Sequence, residues 1–133
     1  LVRAHYYLES KKVDTDRIKN VSDYSDMQEF LLASDVLITD YSSSIWDFSL
    51  MKKPCFLYMP DYSSYVDERD LYTPIQEWPY PACFSMDDLE KKIKEYEPEE
   101  AKRRIMDHHN KLGICETGKA SEIVGKEIIK LCY

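Results

Sequence analysis

DVLITDYSSSIWDFSLMKKPCFLYM, residues 35–59, decides the fold. Asp35 to Thr39 is a short apolar, β-branched run without polar alternation, the pattern of a strand buried on both faces of a parallel sheet. Serines 42 to 44 then lead into IWDFSLMKK, where Ile45, Trp46, Phe48 and Leu50 suit a helix packed on that sheet, with Ser42 or Ser43 as its N-cap. Pro54 ends the helix, and Cys55 to Met59 reads as the next buried strand. Strand, helix and strand at this spacing form a parallel, right-handed unit. The expected class is therefore α/β, a Rossmann-like parallel sheet with helices on both faces.

Outward from this block the same rhythm continues. Upstream, Val2 to Tyr7 opens as a short strand, Arg17 to Val21 reads as a second, and Asp26 to Ser34 carries Met27, Phe30 and Leu31 on one helical face. Downstream, residues 60–81 turn polar and aromatic, with four tyrosines and a tryptophan, and read as a loop suited to walling a ligand. Ser85 caps a helix whose Met86, Leu89, Ile93 and Tyr96 are in register, with Asp88 at the capping-box position. Pro98 starts the next helix and Gly113 ends it. A last helix, from Lys119 to Cys132, is expected to pack through Ile123, Val124, Ile128 and Leu131. No repeat or flexible linker interrupts the chain, so residues 1–133 read as one domain. The start at Leu1, in what reads as a strand, suggests a piece of a longer protein.

Composition narrows the function. The chain has 133 residues, 44% apolar and 32% charged, enough for one core without staples. Eighteen Lys and Arg against 25 Asp and Glu leave a net charge of −7, which disfavours a nucleic acid partner because phosphate neutralisation needs a basic surface. No apolar run has the length of a membrane span and no signal peptide is visible, so the expected location is the cytoplasm. Cysteines 55, 83, 115 and 132 form neither a CxxC pair nor a zinc pattern; no metal is expected. Only three glycines occur, which excludes GxGxxG and Walker loops.

Three places suit an anion nonetheless. TDYSSS, Thr39 to Ser44, lies between a strand and a helix, where ligands of parallel sheets bind and where helix amides, the macrodipole and serine hydroxyls together suit a phosphate or pyrophosphate. GKAS, Gly118 to Ser121, is a second helix entry with the mobile ammonium of Lys119 and the hydroxyl of Ser121. Arg3 and His5, two residues apart on one strand, share a face and suit anion binding and proton delivery. Each also has a purely structural reading, as caps or as a strand-end histidine. The adjacent His108 and His109 read as solvated surface.

At these residues the chain resembles the CDP-glycerol glycerophosphotransferases, the polymerases and primases of teichoic acid synthesis. Arg3-x-His5, the block from Leu31 to Tyr65 and GKAS stand in family order. The resemblance implies the carboxyl-terminal, donor-binding half of a GT-B fold, and transfer of glycerol phosphate from CDP-glycerol to an acceptor hydroxyl with release of CMP. It further implies that Ser42, Ser43, Lys119 and Ser121 bind the donor phosphates. The resemblance also places Asp40, Thr39 and Arg69 in the expected donor site. Arg3 and His5 match the family's histidine motif, which implies that they stabilise or protonate the leaving group, and no cofactor is expected. By the same resemblance the expected donor is CDP-glycerol or a related CDP-alditol, and the expected acceptor is lipid-linked and engaged through the other half, at the inner face of the membrane. The isolated piece is expected to bind without turnover. Departures such as Tyr6 after His5 and Asp70 after Arg69 leave the alditol open. A GT-B glycosyltransferase using a nucleotide sugar and a non-catalytic module are the alternatives.

Overall fold

The computed structural model describes residues 1–4 and 14–132, and the chain divides into two compact units, Leu1–Asp35 and Val36–Tyr133. In the first, Val2 pairs in parallel with Asn20 through a single bridge, its N–H donating to Lys19 O and its carbonyl accepting from Val21 N, both at 2.8 Å. The segments expected as strands at 2–7 and 17–21 thus touch at this one bridge, and among the described residues neither extends into a strand; residues 5–7 lie outside the described residues. Helix α1, Met27–Ala33, starts where the Asp26 carboxylate accepts the amides of Gln28 and Glu29, two of the donors that every helix start leaves free. Leu31 is buried and Met27 and Phe30 are half-buried, as the helical spacing predicts.

The second unit holds a three-stranded parallel sheet in the order β1-β2-β3, with β1 at Leu37–Thr39, β2 at Cys55–Tyr58 and β3 at Ala82–Cys83. Leu37 pairs with Cys55 and Thr39 with Leu57, so the quoted block does form a parallel strand-helix-strand unit around α2, Ser44–Ser49. β2 is central and buried on both faces. Phe56 packs with Cys83 and with Leu89 of α4, Met86–Lys94, while Cys55 and Leu57 on the opposite face are equally inaccessible. β1 departs from expectation: it is an edge, and Ile38 is 51% exposed, because a strand with one neighbour and one covered face cannot bury alternate side chains.

α2 buries Ile45 and Phe48 completely, and each such side chain contributes on the order of 1.5–3 kcal/mol. It ends at Ser49, earlier than Pro54 suggested. Residues 50–52 make bonds back to Asp47, Phe48 and Ser49, and Lys52 takes a left-handed conformation, φ 57°. Leu50 is therefore carried out of the helical face and is exposed.

The stretch at 60–81 is not a plain loop. It contains α3, Tyr62–Arg69, and a 3-10 turn at Ile75–Glu77. α4 begins as expected, with Ser85 Oγ accepting the Asp88 amide at 3.1 Å, but Asp88 returns to the amide of Phe84 rather than to that of Ser85. Leu89 is its buried anchor; Met86 and Ile93 are exposed. α5, Pro98–Leu112, has Pro98 in its first turn and stops at Gly113 with φ 67°. α6, Ala120–Cys132, corrects the expectation for the last helix: Ile123, Val124, Ile128 and Leu131 are 54–87% exposed, since no element of the described residues covers that face.

Candidate functional site

The chain leaves β1 at Thr39 and enters α2 at Ser44, so Asp40 to Ser43 form the turn at the carboxyl end of a parallel strand. Ser43 is the N-cap residue, but its own conformation is helical and its hydroxyl caps nothing. Ser42 instead closes the turn: its Oγ accepts the Ser44 amide at 3.3 Å and lies 2.9 Å from Ser44 Oγ. Its carbonyl takes the Ile45 amide, and the Ser43 carbonyl takes that of Trp46. Among the described residues, the amides of Ser42 and Ser43 and the Ser43 hydroxyl make no hydrogen bond. Three donors thus stand on two adjacent residues of one short turn, a set that suits phosphate oxygens.

The turn is held from one side. Tyr41 stacks on Tyr65 of α3, ring centroids 3.5 Å apart and 6° from parallel, and its hydroxyl donates to Asp61 Oδ1 at 3.0 Å. Burial, and then the bond to Asp61, push its phenol well above the ordinary range, so it stays protonated and keeps donating. Thr39 ends β1 half-buried and Asp40 is exposed beside the serines. Arg69 sits exposed in the last turn of α3.

The second predicted helix entry is also present. Gly118 has φ 73°, a conformation that disfavours other residues, and the chain turns there into α6, with the Lys119 carbonyl accepting the Ile123 amide at 3.0 Å. Lys119 and Ser121 are exposed, and among the described residues no hydrogen bond joins this entry to the serine turn. Arg3 lies in the first unit, where its guanidinium donates to the Tyr24 carbonyl at 2.8 Å. His5 lies outside the described residues. Among those described, no group of side chains could hold a metal ion, and no helix is long and apolar enough to cross a membrane.

Sequence reasoning missed an aromatic and imidazole cluster behind the turn. His109 Nε2 is 2.8 Å from Ser49 Oγ, and His108 stacks on Trp46 at 5.5 Å and 7° with its Nε2 buried and unpartnered. Trp46 in turn contacts Trp78, whose indole N–H donates to Thr73. Neither histidine is solvated surface as expected: the lysines and arginines around them suggested an exposed face, but Ala101 and Ile105 orient α5 so that this end turns inward. The signal available was spacing, since His108 and His109 follow Ala101 and Ile105 by one or two further turns.

Comparison with known proteins matches residues 1–130 to the family model described as CDP-Glycerol:Poly(glycerophosphate) glycerophosphotransferase. A teichoic acid glycerol-phosphate transferase of Staphylococcus aureus is 35% identical over 98% of this chain and 35% of its own length. A teichoic acid poly(glycerol phosphate) polymerase of Staphylococcus epidermidis is 32% identical over 98% of this chain and 19% of its own. The wall teichoic acid polymerase TagF superposes with a TM-score of 0.69 at 30% identity, over 84% of this chain and 29% of that one. A histidine-to-asparagine variant of TagF soaked with CDPG superposes equally well. The chain thus spans between a fifth and about a third of these relatives' length.

Proposed function

The chain belongs to the CDP-glycerol:poly(glycerophosphate) glycerophosphotransferase family, and from that premise we propose that it is the donor-binding, carboxyl-terminal half of a GT-B enzyme. The reaction is displacement at phosphorus. An acceptor hydroxyl attacks the β-phosphorus of CDP-glycerol, the bond to the bridging oxygen breaks, glycerol phosphate joins the acceptor and CMP leaves with the electron pair. The hydroxyl proton passes to a base in the other half of the enzyme. Such chemistry needs positioning and charge stabilisation more than covalent catalysis.

The observation that carries this reading is the set of unpaired donors at Ser42 and Ser43, at the carboxyl end of β1, in a chain that matches the family almost throughout. These groups hold the donor's pyrophosphate, with Lys119 and Ser121 as its second contact and Thr39, Asp40 and Arg69 around it. Arg3 stabilises the leaving phosphate and His5 protonates it. The acceptor is lipid-linked and is engaged by the other half, which brings the enzyme to the inner face of the membrane.

Titrating the isotopically labelled chain with CDP-glycerol and following its amides by NMR tests the site. The expected result is a shift at residues 42–45 and 119–122, with no turnover by this piece alone; silence at both places overturns the reading. Selectivity for a UDP-sugar over CDP-alditols would move the assignment to glycosyl transfer. In the two-domain protein, His5→Ala is expected to lower the rate by roughly 10² or more, as for loss of an acid catalyst.

A further inference from the structure

Asp40 to Ser43 is the stretch on which the proposed donor site depends, and its anchoring is uneven. Asp40 and Ser43 make no side-chain bond among the described residues, and the Ser42 hydroxyl bonds only to Ser44, the first residue of α2. Apart from the bonds that Ser42 and Ser43 make to α2, the helix they enter, Tyr41 alone reaches another element. Its ring lies flat on Tyr65, in the first turn of α3, and its hydroxyl donates to Asp61, the residue that precedes that helix. Two contacts of different kinds, a face and an edge, fix the ring in both position and rotation.

We infer that Asp61 and Tyr65 are positioning residues for the donor site, holding through Tyr41 the adjacent Ser42 and Ser43 amides in the orientation that receives the pyrophosphate. The inference rests on the function proposed above, which assigns those serines to the donor. A donor cluster fixed before binding loses little freedom on meeting its ligand, whereas a loose turn must be ordered at the ligand's expense. The phenol remains protonated because burial and the Asp61 carboxylate both disfavour the phenolate, so the edge contact persists throughout the neutral range. α3 also meets the sheet's far end, where Tyr62 packs on Phe84 at 5.3 Å, so the latch is tied to the strand-helix junction at β3 and not to a free segment. The tyrosines of this stretch thereby acquire a role distinct from touching the donor themselves.

The test uses the intact protein with three variants, Tyr65→Ala, Tyr65→Phe and Tyr41→Phe. Amide hydrogen exchange in the absence of donor reads the latch by itself: Tyr65→Ala is expected to speed exchange at residues 41–44 about fivefold or more, while Tyr65→Phe, which keeps the ring, restores protection. Steady-state rates with CDP-glycerol read its consequence. Tyr65→Ala should raise KM about tenfold with kcat little changed, Tyr41→Phe should raise it about threefold, and Tyr65→Phe should rescue it. A loss of folded enzyme would lower kcat and leave KM alone, and that pattern overturns the inference. Unchanged exchange in a folded Tyr65→Ala protein also overturns it, and so does faster exchange with KM unmoved. If CDP-glycerol fails to bind the unaltered protein, the functional reading falls and this inference with it, whereas the exchange result still reports whether the contacts restrain the turn.

Discussion

His109 Nε2 and Ser49 Oγ, sixty positions apart in the chain, lie 2.8 Å from each other and join the last turn of α5 to the last residue of α2. Ser49 also donates its single hydroxyl hydrogen to the Trp46 carbonyl at 2.7 Å. The oxygen is then an acceptor towards His109, which fixes the imidazole as the tautomer protonated at Nε2. Burial first, and then His108 and Lys52, hold its pKa below the usual histidine value. The fold therefore favours the neutral ring. Stability from this group is fully present above the unfolded value of about 6.5 and is lost as pH falls through the lower folded value. Urea midpoints taken from about pH 7.5 down to 5 should decline in the native protein, and the decline should flatten in His109→Gln, which removes the titration but keeps a donor. His109→Ala should cost about 1–3 kcal/mol at neutral pH by leaving a buried hydroxyl one partner short.

Thiol reactivity should divide the four cysteines cleanly. Cys55 and Cys83 are buried in the sheet, and burial, reinforced by Cys83, pushes the Cys55 thiol up to about 12. Burial raises Cys83 as well, against the opposing pull of Lys92. Cys115 and Cys132 are exposed. A disulfide reagent such as DTNB should therefore titrate two thiols rapidly in the folded protein and all four in denaturant, because only the thiolate attacks and buried thiols stay protonated. Rapid reaction at Cys55 would show that β2 is open to solvent.

The quoted block was readable because its signals are local and agree with each other. A β-branched run, a serine cluster, a helical stripe and a proline before a second apolar run leave few folds other than a parallel unit, and β1, α2 and β2 stand there. Pro98 and Gly113 delimited α5 to the residue because backbone restrictions act within a single turn. What failed depends on distant partners. Whether Ile38 or the α6 isoleucines are covered is set by which elements pack on them, and periodicity records only that a face is apolar. α3 was hidden by its tyrosines and serines, weak helix formers that tertiary contacts such as the Tyr41 stack stabilise. At the site, the serine turn was legible from its place between strand and helix, while the inward histidines were masked by their charged neighbours.

Gly113 offers a test of backbone chemistry alone. It ends α5 in the left-handed region at φ 67°, its amide donating to Asn110, and a Cβ added there would meet nothing within 4 Å. Steric fit is thus no issue, and conformation decides the outcome. Gly113→Ala should cost about 1 kcal/mol, whereas Gly113→Asn should cost visibly less because asparagine tolerates this region better. Equal losses in urea titrations of the two variants would contradict that account.

Lys119 separates one contact of the proposed donor site from the rest. It stands exposed at the entry to α6, next to Gly118, in a chain whose net charge is −7. An ammonium on a phosphate oxygen is a charge-assisted bond of about 1.5–3 kcal/mol, so Lys119→Gln should weaken CDP-glycerol binding by about tenfold or more. The loss should shrink as salt rises, because ions screen an exposed pair. If Lys119 and the serine turn grip the same pyrophosphate, the variant should discriminate between ligands: CDP-glycerol, with two phosphates, should lose more than CMP, with one. Calorimetric titration of both ligands into native protein and Lys119→Gln gives the comparison. Equal affinity for CDP-glycerol in the two proteins would remove GKAS from the site and leave the donor to the serine turn alone.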